Sequence, residues 1–298
     1  MNLRDKKQTL QLRARVMAVV RAFFVARDYV EVETPLRVKT PAMEDHIHAE
    51  VSGDHWLRTS PELHMKRMVC AGFEKIFQIG PCFRQGERGH LHLPEYTMLE
   101  WYWTGGTSEG LIWETRDLLH AVAGAVGGGP FTGVDFYAEP TIYTVQELFV
   151  SLAGWDPLVE FDADRFDLDL VEKVEPVLAK EQGPVVIKDF PGERSALARM
   201  RPEHPQAADR WELYLGGVEV ANAYTELTDA VEQRKRFEAC GKNRRERGQE
   251  VYPLDEAFLL ALEAGMPDCA GIALGMDRLL MLITGAEHLS EVVAFSEG

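Results

Sequence analysis

No stretch of this 298-residue chain comes near the about 18 consecutive apolar residues that a membrane-crossing helix needs. A short apolar stretch behind a basic N-terminus is missing too, so neither a membrane span nor a signal peptide is expected. Cysteine is scarce. Cys70, Cys82, Cys240 and Cys269 are widely spaced and make no CxxC pair, which argues against a zinc ribbon or disulfide framework and suits a reducing cytoplasm. Histidines such as His46, His48, His55 and His64 fall in no metal-ligand spacing with Cys or acids and read as surface residues. Positive charge is short as well: 32 Lys and Arg face 48 Asp and Glu, a net charge of −16. Phosphate backbones are gripped by Lys and Arg, so extensive nucleic-acid binding is disfavoured. One basic cluster, Lys242-Asn243-Arg244-Arg245-Glu246-Arg247, reads as a solvated helix end or as a small local site. What the chain does have is apolar material, 46% of its residues, enough to bury a large core.

Apolar residues at Leu12, Val16, Val19, Val20, Phe23 and Phe24 mark one face of a long helix over 3–26. A strand over 29–32 ends at Thr34-Pro35, and strands within 47–59 break at Ser52-Gly53-Asp54. Ser60-Pro61-Glu62 opens a helix, with Ser as N-cap, Pro at the first helical position and an acid in the first turn. A helix is predicted over 108–126, stopped by Gly127-Gly128-Gly129-Pro130. Helices and loops follow over 144–182, with the acidic 156–175 stretch exposed, and then a short strand at Val185-Val186-Ile187. One long strand is predicted over 211–221 and an amphipathic helix over 229–247. Asp255 caps a further helix ended by Gly265, and a strand over 270–274 leads into a helix over 277–284. The order suggests an α+β fold, an antiparallel sheet flanked by helices, as one domain over residues 1–298.

Residues 83–102, FRQGERGHLHLPEYTMLEWY, are the most informative. Two apolar strands joined by a polar, Gly-containing loop form a hairpin. It sets Arg84, a phosphate-binding cation, beside Glu100 and Tyr102 on the second strand, where a carboxylate suits an amine. A nucleotide and an amine-bearing substrate could share such a site.

Three segments together resemble class II aminoacyl-tRNA synthetases. Phe23 to Leu36 is similar to motif 1, the 83–102 hairpin to motif 2, and Gly271-Ile272-Ala273-Leu274-Gly275-Met276-Asp277-Arg278 to motif 3. Each alone is weak; in this order and at these separations they are specific. Thr59-Ser60-Pro61-Glu62, Pro94 to Glu100 and Glu219 to Leu227 resemble the lysyl-tRNA synthetase branch, and the likeness covers nearly the whole chain. Met1 precedes motif 1 by only the residues up to Ala22, where a lysyl enzyme carries an OB-fold anticodon-binding domain. The chain is therefore similar to the protein-modifying paralogues of that branch, whose acceptor is a lysine of elongation factor P rather than tRNA.

The resemblance implies ATP and Mg²⁺ as cofactors and lysine or (R)-β-lysine as substrate, activated as an adenylate. The substrate carboxylate is then its own nucleophile, and the protein's work is positioning and charge stabilisation. On this reading Arg84 bridges α-phosphate and carboxylate, and Arg278 holds the γ-phosphate; these are the catalytic candidates. Gln85, Gly86, Glu87, His92, Tyr96, Glu219, Val220 and Gly275 join them around ATP, with Tyr96 stacking on adenine. Glu212 and Glu219 would ligate Mg²⁺. Their odd separation on one predicted strand puts them on opposite faces, so an irregularity at Gly216-Gly217 is expected. Ser60, Pro61, Glu62, Glu100, Tyr102, Asn222, Glu226 and Ala273 would form the amino-acid pocket. Glu226 and Tyr102 would take the side-chain ammonium, Glu62 and Glu100 the other amine, and Asn222 the carboxylate. Ala273 stands where the tRNA enzymes have Gly, and on this reading it discriminates α- from β-lysine. It reads equally well as an ordinary packing residue.

Two positions depart from the pattern. Gly86 occupies the place of the motif 2 Glu that reads adenine, and Leu93 replaces an Asn usual in the paralogues. Glu87, or backbone groups, would then serve adenine. Two other functions stay open: a truncated synthetase acting on tRNA or a small amine, and an inactive amino-acid-binding regulator. A homodimer through the motif 1 helix is the family's expectation.

Overall fold

A computed structural model describes residues 3–127, 133–195 and 197–296. The helix Lys7–Val25 (α1) leads into the short strands Val30–Glu31 (β1), Arg37–Val38 (β2), Val51–Ser52 (β3) and His55–Leu57 (β4). Helix Glu62–Cys70 (α2) precedes the motif 2 hairpin of Lys75–Phe83 (β5) and Glu95–Thr104 (β6). Helix Ser108–Val126 (α3) is capped by the Thr107 side chain and ends on Gly127, whose φ of 104° is left-handed. Gly128, Gly129 and Pro130 of the expected stop lie outside the described residues.

Strand Thr141–Thr144 (β7) was not anticipated. It is followed by the helices Val145–Leu148 (α4), Ala163–Asp169 (α5) and Glu175–Leu178 (α6), then by Val185–Pro191 (β8). Strands Ala207–Leu215 (β9) and Val218–Thr225 (β10), helices Ala230–Glu246 (α7) and Glu256–Ala264 (α8), strand Cys269–Gly275 (β11) and helix Met276–Thr284 (α9) complete the order.

Eight strands form one sheet in the order β1-β5-β6-β11-β10-β9-β8-β7. Its interior is antiparallel, as expected, but both outer pairs, β1 with β5 and β7 with β8, are parallel. A parallel pair needs a long crossover, and α4 to α6 supply it between β7 and β8. The single strand predicted over 211–221 is a correction. Gly216 and Gly217, with φ of 57° and 80°, form a two-residue turn, and Leu215 pairs with Val218. Positive φ at both positions is what a type I′ hairpin requires. Periodicity alone did not reveal the reversal because apolar residues continue through both strands. The acidic 156–175 stretch is mostly exposed, yet Phe166, Asp169 and Val174 are buried, and Asp169 accepts from Trp155 Nε1 at 2.8 Å.

Register explains how the sheet divides its labour. Paired residues on neighbouring antiparallel strands point to the same face, and the face alternates along each strand. Trp101 pairs with Ile272 and Phe77, and Ala223 with Ile272 and Trp211. That face joins Val16, Val20 and Phe24 of α1 and Leu111, Leu118 and Val122 of α3 in the main core. On the other face Glu100 pairs with Gln78 and Ala273, Ala273 with Asn222, and Asn222 with Glu212. Polar residues there form a floor across four strands. Helices α2, α7 and α8 cover one end around Leu63, Phe237 and Phe258, and α4 to α6 cover the β8 side around Phe149, Phe166 and Tyr214.

Candidate active site

The bulge between Glu219 and Ala221 is what assembles the floor. Glu219 pairs with Tyr214 and Asn222 with Glu212, so the extra residue, Val220, brings both Glu219 and Asn222 to the polar face despite their odd separation. The Gly216-Gly217 turn does the same for Glu212 and Glu219. The irregularity expected there is a chain reversal with a bulge after it.

Two cavities meet over this floor. The larger, about 220 Å³, is lined by Arg84, Glu87, His92, Tyr96, Glu219 and Arg278, with Leu93, Val220 and Gly275 also in its wall. The smaller, about 70 Å³, is lined by Glu44, Ser60, Glu62, Glu100, Tyr102 and Glu226, with Tyr224 beside them. Arg84, Met98, Asn222 and Ala273 belong to both.

Arg84 directly follows β5, and its N–H still donates to Pro94 O at 2.9 Å, so the hairpin holds its backbone. Its guanidinium lies over the Tyr96 ring, 5.1 Å from the centroid, while the Tyr96 hydroxyl donates to Thr59 O at 2.8 Å. Arg84 Nε is buried with no hydrogen-bond acceptor among the described residues, a donor that an anion at the junction would satisfy. Gly86, with φ of 77°, turns the loop so that Glu87 comes back to 3.5 Å from Arg84 Nη1. Gln85 and Gly86 themselves line neither cavity; the Gln85 N–H donates to His48 O at 2.7 Å.

Arg278, at the start of α9, donates to Glu219 O at 2.7 Å and to His92 Nε2 at 2.9 Å. Burial and then the nearby Arg278 charge push the His92 imidazole down, so it is neutral and Nε2 accepts. Helix α9 is anchored through Asp277, which accepts from Arg13 of α1 at 2.5 Å and from the Thr97 N–H at 2.7 Å.

Glu212 is 7% exposed and pushed up to about 7 by burial, against the pull of Arg210. It accepts from Arg210 at 2.6 Å and from the Tyr214 hydroxyl at 2.8 Å. Among the described residues no group of three or more His, Cys, Asp or Glu is arranged to hold a metal ion. Two carboxylates are nevertheless the usual protein share of a magnesium site, the rest being phosphate oxygens and water. Glu212 and Glu219 on one face fit that share, and Glu175 lies close enough for the Glu219 charge to raise it, after burial.

In the smaller cavity Tyr102 donates to Glu100 Oε1 at 2.7 Å, and Ser60 donates to Glu100 Oε2 at 2.8 Å. Glu226 pairs with Lys66 of α2, which also contacts Glu62 at 2.6 Å. The Tyr224 hydroxyl donates to the same Glu62 oxygen at 2.6 Å. Pro61 is buried outside the cavity wall and precedes the first helical residue, while Ser60 Oγ accepts from the Glu62 N–H at 3.0 Å. Asn222 Oδ1 accepts from Arg210 at 3.1 Å. A side chain at Gly271 would lie 2.3 Å from Glu226 Oε1 and 2.5 Å from the Tyr102 ring, so a residue without Cβ is needed there.

The sequence reading missed Lys66, Tyr224, Arg210, Glu44 and Gly271. Lys66 follows Glu62 by one helical turn, a spacing that signals an ion pair. No local signal marks the others. Nor is the basic cluster merely a solvated helix end: Arg244 is fully buried and donates to Glu250 O, Glu44 O and Ile47 O at 2.7, 2.5 and 2.9 Å.

A cavity holding two arginines, joined to an acid-lined one over an antiparallel floor, is the arrangement of a synthetase-type catalytic domain. The chain belongs to the class II tRNA synthetases (D, K and N), whose family profile matches residues 1–298. Within that family it is 38% identical to the elongation factor P–(R)-β-lysine ligase of Haemophilus influenzae over 310 residues, 98% of this chain and 95% of that protein. The ligases of the same name from Vibrio campbellii and Avibacterium paragallinarum are also 38% identical, each covering 97% of this chain and 95% of their own.

Proposed function

We propose that this protein uses ATP to activate lysine or (R)-β-lysine as an aminoacyl-adenylate and transfers the acyl group to a lysine side chain of elongation factor P. The observation that carries the reading is the junction at Arg84, where a cavity suited to a triphosphate meets one suited to a diamine. The substrate carboxylate attacks the α-phosphorus and pyrophosphate leaves. Arg84, in the wall of both cavities, would bridge both anions, and Arg278 with His92, in the wall of the larger cavity, would hold the γ-phosphate. Mg²⁺, held by Glu212 and Glu219, would neutralise phosphate charge as pyrophosphate departs. In the second step the acceptor amine attacks the acyl carbon, the C–N bond forms and AMP leaves.

In the amine pocket Glu226 with Tyr102 would receive the distal ammonium, Glu62 and Glu100 the other amine, and Asn222 the carboxylate. Ala273, in the wall of both cavities, would discriminate between the isomers. Tyr96 would stack on adenine, and Glu87, also in the larger cavity's wall, would serve the adenine amino group in place of the missing motif 2 Glu. A single catalytic domain over residues 1–298, acting in the cytoplasm as a homodimer through α1, completes the proposal. The test is amino-acid-dependent ATP–pyrophosphate exchange, followed by transfer of labelled amino acid to elongation factor P and to tRNA. Exchange with lysine or (R)-β-lysine and label on the protein alone are expected. Exchange with neither isomer, or label on tRNA, would sink the reading.

A further inference from the structure

The acid pocket contains a cation of its own. Lys66 is 1% exposed and does not line the 70 Å³ cavity; it lies behind Glu62 and Glu226, in contact with both. Its ammonium also sits 5.3 Å from the centroid of the Tyr224 ring, whose hydroxyl holds Glu62. Glu226 Oε1, by contrast, has no hydrogen-bond partner among the described residues, and the missing side chain of Gly271 leaves room beside it. We propose that Lys66 is a specificity-determining positioning residue: clamped between Glu62 and Glu226, it supplies a counter-charge to the buried Glu226 and holds both carboxylates turned so that Glu226 Oε1 receives the distal ammonium of the substrate. The proposal rests on the reading of a lysine-type substrate given above.

The physical reason is charge balance. Adjacent buried carboxylates without a counter-ion take up a proton, and a neutral carboxyl is a poor partner for an ammonium. Burial alone would push Lys66 down, but Glu226 and Glu62 outweigh it and hold the ammonium protonated. Lys66 in turn opposes the burial that pushes Glu226 up. The other titratable groups facing Glu226 are Glu62 on α2, Glu100 and Tyr102 on β6, Tyr224 on β10 and Cys269 on β11. Glu44 and Cys70 lie at the margin of this cluster, next to Glu62 and to Lys66 and Cys269. A second cation, Arg84, stands in the wall of the same cavity and acts on Glu44, while the cation acting on Glu226 is Lys66. Without Lys66 the substrate would have to displace protons before it could bind.

Lys66→Met and Lys66→Arg, assayed by pyrophosphate exchange with lysine and (R)-β-lysine from about pH 6 to about pH 9, test the proposal. Lys66→Met is expected to raise the KM for the amino acid by about thirtyfold or more and to leave the KM for ATP within about twofold. Its amino-acid KM should keep falling at alkaline pH where that of the unmodified protein has levelled, and Lys66→Arg should restore most of the affinity. An amino-acid KM that moves by less than about twofold, or moves together with that for ATP with an unchanged pH profile, overturns it. If Lys66→Met does not fold, Lys66→Arg decides, and a large loss of lysine affinity in that charge-retaining variant also overturns it. An unmodified protein inert with both isomers defeats the substrate reading and this proposal with it; an active protein with insensitive variants defeats this proposal alone.

Discussion

Glu100 and Glu226 face one small cavity, and burial pushes their carboxyls up to about 7 and about 8. In the unfolded chain a Glu titrates at about 4.3. The folded protein therefore keeps protons that the unfolded chain releases, and the stability this contributes is complete below the unfolded value. It is lost as pH rises through about 7 and about 8. A bound diamine prefers the ionised carboxylates, so its binding releases protons and strengthens across the same window. The rise in melting temperature caused by saturating lysine should accordingly grow from about pH 5 to about pH 8; a shift that is flat with pH would contradict it. At this scale Arg84, Glu100, Tyr102 and Arg278 were legible because their motifs are contiguous. Lys66 and Gly271 were not, because their importance depends on α2 and β11 approaching Glu226 from two sides.

The β9–β10 hairpin decides where Glu212 and Glu219, the carboxylates proposed for a metal ion, lie. Both turn glycines are left-handed, and a Cβ on Gly217 would lie 2.7 Å from Ala179 Cβ and 3.1 Å from Ala179 Cα. Gly217→Ala should therefore cost about 1–3 kcal/mol of stability by denaturant unfolding. It should also raise the KM for ATP more than that for lysine, since Glu219 lies past the turn and Glu226 is fixed through Lys66. Unchanged stability would show that the turn relaxes without cost. Helices with local signals, such as α3, α8 and the end of α1, agree with the sequence reading to within a residue or two. The predicted 211–221 strand failed because reversal and continuation look alike when both arms carry apolar residues on one face.

Across the whole molecule, the −16 charge and the absence of any helix long and apolar enough to cross a membrane among the described residues frame the acceptor question. An acidic molecule opposes extensive contact with the tRNA backbone while tolerating a protein acceptor. The outer strand β1 leaves Val30 51% exposed, and Val25 at the end of α1 is 62% exposed. An apolar edge of this kind supports the proposed pairing through the motif 1 segment. Sedimentation at micromolar concentration should give a two-chain species, and Val30→Lys should shift it toward one chain; a stable monomer for the unmodified protein would end the proposal.

The sequence by itself determined the chemistry's alphabet: an α+β chain, an Arg beside clustered acids, and three ordered motifs of one synthetase class. Those signals are local, carried by contiguous residues whose spacing already implies strand, turn and helix. Tertiary structure alone decided the pairing within that alphabet. The reversal at Gly216-Gly217 and the bulge at Val220 set which acids share a face. The approach of α2 to β10 gave Glu226 the Lys66 ammonium as a protein partner, while Tyr102 donates to Glu100. Burying four carboxylates in one small space demands a counter-charge, and only the folded chain shows which cation supplies it.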